Sequence, residues 1–148
     1  MRFQLDDGGR ATAGYRGHAN DCVCRSIAIV TGKPYQDVYA ELNDLGQAER
    51  NSKRRSRKSS ARTGVHKPSL RRYMAGLGYQ WTPTMHIGSG CTVHLRDGEL
   101  PPGRLLVSVS RHITAVVDGV IHDIHDPSRD GTRCVYGYWM RAAAAKAN

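Results

Sequence analysis

The sequence predicts an α+β domain in which N-terminal helices pack on a C-terminal antiparallel β-sheet. Three observations carry that expectation. Apolar residues recur at helical spacing up to Leu77, β-branched and aromatic runs take over after Gly78, and Asp118-Gly119 separates two apolar runs further on. At 148 residues, with 39% hydrophobic and 24% charged residues, the chain fits one domain, 1–148. Such a length buries roughly 70% of the surface exposed by the unfolded chain, enough for a core.

Residues 1–20 are rich in Gly, Ala and polar groups without a sustained period and read as an irregular lead-in. The first helix is expected to begin at Asp21 or Cys22. Residues 22–30 are apolar on nearly every side, Thr31-Gly32 supplies a left-handed stop, and Asp21 or Asn20 is placed to cap the first turn. Pro34 stands at the first position of a second helix, whose stripe of Val38, Leu42 and Leu45 ends at Gly46. A third helix is expected over 68–77, with Leu70, Tyr73, Met74 and Leu77 on one side and Gly78 closing it. Strands follow at 79–85, 91–95, 105–109, 113–117, 120–124 and 133–139. Asp118 and Gly119 form the two-residue turn of a hairpin, since both positions must accept positive φ.

The formal charge of +9 is concentrated. Arg50, Lys53, Arg54, Arg55, Arg57, Lys58 and Arg62, followed by Lys67, Arg71 and Arg72, fall in one stretch without Asp or Glu. The part at about 50–66 reads as a mobile basic linker that buries nothing: an attractor for phosphate-bearing or acidic partners, or a solvated loop. It lacks interleaved aromatics for base stacking, so non-specific phosphate contact is the most it predicts toward nucleic acid. The first residues carry no apolar run of signal-peptide length, and no segment approaches the roughly 20 apolar residues of a membrane span. A cytoplasmic protein without a membrane partner is expected, and its four cysteines are expected as reduced thiols, metal ligands or catalytic groups rather than a disulfide framework.

The hairpin assigns the chemistry. With Asp118 and Gly119 in the turn, Val117 pairs with Val120, Thr114 stands opposite Asp123 and His112 opposite His125. His112, Thr114, Val116, Ile121, Asp123 and His125 then share the face that carries the ionisable groups. Ile113, Ala115, Val117, Val120, His122 and Ile124 share a face that is mostly core. His112 and Asp123 are diagonal neighbours, roughly 7–8 Å apart at the α-carbons, a spacing that imidazole and carboxylate bridge. Asp123 would orient His112 and stabilise its imidazolium, with Asp126 the alternative acid. The matching nucleophile is Cys22, because a helix N-terminus favours thiolate over thiol and its N–H groups can hold an oxyanion. Cys24 lies about 200° further round the helix at 3.6 residues per turn, and is read as a buried small hydrophobe.

These residues resemble a family. A cysteine opening a helix, further helices, then a sheet with a strand-borne His and an Asp on the next strand is the order found in the papain-like cysteine peptidase superfamily. More closely, Asn20-Asp21-Cys22-Val23-Cys24-Arg25-Ser26-Ile27-Ala28 and the run from His112 through Asp118-Gly119 to Asp123 are similar to a group of small, mostly uncharacterised phage and bacterial proteins of that type. The likeness spans most of the chain. It implies a papain-like fold, amide or thioester hydrolysis through an acyl-cysteine, a Cys22–His112–Asp123 triad, a protein or peptide substrate, no cofactor, and residence in the bacterial host cytosol for a phage-encoded chain. Papain-like enzymes usually carry a Gln shortly before the nucleophile to bind the oxyanion. None lies near Cys22, so Asn20 and His18 are the oxyanion candidates.

Three rival readings follow from the same residues. A zinc site is disfavoured by spacing, because Cys22 and Cys24 have one residue between them where structural sites leave two to four, and Cys91 and Cys134 have no close ligand partner. A catalytically inactive papain-like binding module would keep the fold without turnover. A basic nucleic-acid-associated protein would act through residues 50–66. Nothing in the sequence specifies an oligomeric state or separates peptidase from amidase, deamidase or transferase.

Overall fold

A computed structural model describes residues 1–49 and 57–141. Among these residues the chain forms an α+β fold of three helices and six strands. They run in the order β1 (Arg2–Leu5), α1 (Cys22–Thr31), α2 (Tyr35–Gln47), α3 (Lys67–Gly76), β2 (Tyr79–Pro83), β3 (Arg104–Val109), β4 (His112–Val117), β5 (Val120–Asp123) and β6 (Val135–Arg141). One sheet holds every strand, ordered β1, β5, β4, β3, β6, β2.

The helices form where periodicity predicts them. Gly32, at φ 74°, ends α1, while Val38 and Leu42 of α2 and Leu70 and Met74 of α3 are buried against α1 and the sheet. Gly46 does not end α2, which continues to Gln47; it is the point where the helix meets the backbone of residue 59, whose carbonyl oxygen would lie 1.8 Å from an added Cβ. Asp118 (φ 47°) and Gly119 (φ 79°) make the hairpin turn, with Val117 opposite Val120 and Val116 opposite Ile121, the register expected from the dipeptide.

The sheet is mixed rather than antiparallel. The lead-in contains β1, which runs parallel to β5 with Leu5 beside Asp123. All four of its residues are exposed, so no alternation marked it as a strand. The stretch 91–95 is not a strand either: it makes one isolated bridge, His94 to Cys134, as part of a loop laid over the sheet.

That loop explains why neither face of the hairpin is left to polar groups. Ile113, Ala115, Leu106 and Trp139 pack under the helices, whereas Val116, Ile121, Leu105, Val107 and Val135 form a second core on the far side, covered by Val93, Leu95 and Leu100. Cys91 pairs with Cys134 in a disulfide across 43 residues, with α-carbons 5.8 Å apart, a spacing within the usual range for a bridge. It pins the covering loop to the start of β6 and corrects the expectation of four unpaired cysteines.

Part of the basic segment is built in as well. Ser59 and Ala61 are buried, Ser60 bridges to Gly64, and the Arg62 guanidinium donates to the carbonyls of Arg16 (3.3 Å) and His18 (2.9 Å). Buried Glu49 accepts from the amide of Ser59 at 2.6 Å and from the hydroxyls of Ser59 and Ser69. The expected mobile linker is therefore not what residues 57–66 form, because local hydrogen bonds and one buried carboxylate organise them. Arg50, Lys53, Arg54 and Arg55 lie outside the described residues, while Arg57 and Lys58 are exposed. No helix among the described residues is long and apolar enough to cross a membrane.

Candidate active site

Cys22 is the first residue of α1 and half-buried. Asp21 precedes it but makes no side-chain cap. Its buried carboxylate instead accepts from Arg25 one turn along, from the Tyr35 hydroxyl at 2.6 Å, and lies 3.2 Å from Arg10 Nε. An acid at this position normally takes up the free N–H groups of the first turn. Here an arginine four residues on offers a charged partner, and those N–H groups keep no side-chain cap. Cys24 is fully buried on the other side of the helix beside the Tyr35 carbonyl, and burial pushes its thiol up to about 12.

The sheet delivers the other two groups. His112 opens β4 directly after Arg111, whose φ of 57° turns the chain out of β3, and Asp123 closes β5. His112 Nε2 and Asp123 Oδ2 are 2.7 Å apart. Asp123 is almost fully buried. Its Oδ2 also accepts from the Thr114 hydroxyl at 2.7 Å, its Oδ1 accepts from the amide of Ile124 at 2.7 Å, and Arg25 Nη2 lies 3.7 Å from that second oxygen. With Nε2 committed to the carboxylate, Nδ1 is the ring nitrogen left for the Cys22 thiol, which lines the same cleft as His112 and is favoured as thiolate by it.

The electrostatics favour charge separation. Burial alone raises the Cys22 thiol. The hydrogen bond and charge of His112, the Ile113 backbone N–H and the charge of Arg25 together outweigh it, so the thiol sits below its ordinary value. Burial pulls His112 down, but hydrogen bonds to Asp123 and Cys22 and their charges carry it up to about 9. Burial likewise raises Asp123, yet the hydrogen bonds from His112 and Thr114 hold it below the usual carboxylate range. All three shifts run in the direction that favours a thiolate–imidazolium pair backed by an ionised carboxylate.

Cys22 and His112 open onto a cleft of about 470 Å³ between the start of α1, residues 63–65, α3 and the ends of β3, β4 and β6. Asn20 lines it beside Cys22. His18 is exposed, is not among the lining residues, and offers its carbonyl to Arg62, so of the two oxyanion candidates only Asn20 lines the cleft. Asp126 is exposed and its carboxylate caps the amide of Ser128 at 2.9 Å, away from His112, because Pro127 turns the chain after β5. His125 is exposed with its ring 5.4 Å from that of His112. Sequence reasoning missed Trp81, Trp139, Leu70 and Tyr136 as cleft residues, as no local pattern distinguishes an aromatic on a strand facing a cleft from one facing a core. It also missed Arg25, although its spacing of four from Asp21 was a readable signal.

Among the described residues no group of three or more His, Cys, Asp or Glu is arranged to hold a metal. Comparison with protein-family models, with curated proteins and with solved structures finds no match to this chain.

Proposed function

We propose that the protein is a cysteine-nucleophile hydrolase of papain-like design, acting on an amide or related acyl bond. The observation that carries this reading is the His112–Asp123 pair, joined at 2.7 Å between imidazole and carboxylate, on one cleft with Cys22 at the start of α1. A cysteine at the start of a helix facing a strand-borne histidine supports the papain-like assignment.

In this mechanism the Cys22 thiolate attacks the carbonyl carbon, and negative charge moves to the carbonyl oxygen. The uncapped N–H groups of the first turn of α1 and the side chain of Asn20, which lines the cleft, are the donors offered to that oxygen. The carbon–nitrogen bond breaks as His112 gives its proton to the leaving amine, leaving an acyl-cysteine. Water then attacks with His112 as base, the carbon–sulfur bond breaks, and a carboxylic acid departs as the thiolate and imidazolium return. Asp123 keeps Nε2 protonated and the ring aligned throughout.

Iodoacetamide labelling near neutral pH tests the activated thiol. Cys22 is expected to react far faster than Cys24, with His112→Ala slowing it by about 10²-fold or more. Equal rates at the two thiols would sink the proposal. The missing Gln before Cys22 favours one second reading, a papain-like module that binds without turnover; activated labelling without new chain ends in a digested protein pool would select it.

A further inference from the structure

Apart from the Cys22–His112 pair, the charged side chains lining the cleft are of one sign. Lys67 and Arg71 stand one turn apart on α3 and Arg111 on the turn before His112, and among the described residues neither Asp nor Glu lines the cleft. None of these three cations makes an ion pair with a carboxylate of the described residues. Lys67 lies 5.8 Å from the centre of the Tyr136 ring and Arg71 5.9 Å from that of Trp81, so both are held over apolar surface. Between the cations the wall is apolar: Leu70, Trp81 and Trp139, the two indoles packed with centroids 4.3 Å apart.

We infer that the cleft takes an acidic polypeptide segment, whose carboxylates meet Lys67, Arg71 and Arg111 while an apolar side chain lies against Leu70 and Trp81. A cleft lined by one sign of charge with low-dielectric walls concentrates ligands of the other sign and rejects like-charged ones. Nucleic acid fits the same charge but not the wall. Trp139 is buried and tilted at 50° against Trp81, so the pair presents one partly exposed indole rather than a row of faces for successive bases. The inference deepens the hydrolase reading, on which it rests for the position of the reacting carbonyl beside Cys22.

The test measures binding to the full-length Cys22→Ala protein, so it needs no turnover. Fluorescence anisotropy compares a labelled peptide with Glu and Asp flanking a central Phe, its Lys counterpart, and a single-stranded oligonucleotide of the same charge as the acidic peptide. The acidic peptide should bind about tenfold or more tighter than the basic one, weaken as salt rises, and lose that preference in Lys67→Glu/Arg71→Glu. Both substituted side chains are on the surface of α3, and circular dichroism checks the fold. Equal binding of the two peptides, preference for the basic one, tighter binding of the oligonucleotide, or a preference that survives the double substitution would overturn the inference. Fast labelling of Cys22 without a charge preference sinks the substrate class alone. Slow labelling with acidic-peptide preference sinks the hydrolase reading and leaves the binding site standing.

Discussion

His112 is where the opposing demands of the site meet, since burial disfavours its charge while Asp123 and Cys22 require it. Their balance sets a pH profile. The imidazolium persists until pH rises through about 9, and the thiolate persists down to a pH below the ordinary thiol value. kcat/KM for any hydrolysed substrate should therefore follow a bell, with an acid limb below the ordinary thiol value where the thiolate takes a proton and an alkaline limb near 9 where His112 loses its own. A profile that keeps rising past pH 9, as an unassisted thiol would give, contradicts the pairing. At this scale the meeting of His112 with Asp123 was legible, because Asp118-Gly119 fixes a register, and Cys22 was singled out by its place at a helix start. The roles of Arg25, Tyr35 and Arg10 around Asp21 were not, because the sequence rule for an acid before a helix points to capping. A buried arginine partner competes with that rule only once tertiary packing removes water.

Elements show the same division between local rule and tertiary override. Gly46 looks like a helix stop and is instead a close approach, held by Ser59, whose amide is tied to buried Glu49 at 2.6 Å. Ala in place of a mid-helix Gly normally gains about 1 kcal/mol, but here the new Cβ would meet a backbone oxygen that cannot easily retreat. Gly46→Ala should lower stability by about 1–3 kcal/mol in urea unfolding, and a stabilised variant would show that residue 59 yields. Gly137 in β6 plays a related part, since an added Cβ would lie 2.4 Å from the Trp81 ring that walls the cleft. The helices and the central hairpin could be read because periodicity and turn chemistry are local. Strand β1 could not, as it is four exposed residues whose identity as a strand comes only from β5.

For the whole molecule, the Cys91–Cys134 bridge decides how firmly the second core is covered. Cross-linking a loop of 43 residues removes chain entropy from the unfolded state worth about 4 kcal/mol at 25 °C. Reduction, or Cys134→Ser, should lower stability by an amount of that order in denaturant unfolding under matched conditions. No difference between oxidised and reduced protein would mean that the loop holds by its apolar contacts alone. The sequence pointed to reduced thiols through the expected cytoplasmic setting, and pairing over such a separation is not visible without the third dimension.

The parallel pairing of β1 with β5 reaches beyond stability. Leu5 stands beside Asp123, and the amide of Asp6 donates to the Asp123 carbonyl at 2.8 Å, so β1 clasps a strand made more than a hundred residues after it. During synthesis this clasp stays open until the hairpin has left the ribosome, and Cys22 waits through the same interval for both its companions. The topology thus acts as a clock: a chain made only as far as α3 carries an idle sulfur, and its companions join it once β5 has emerged.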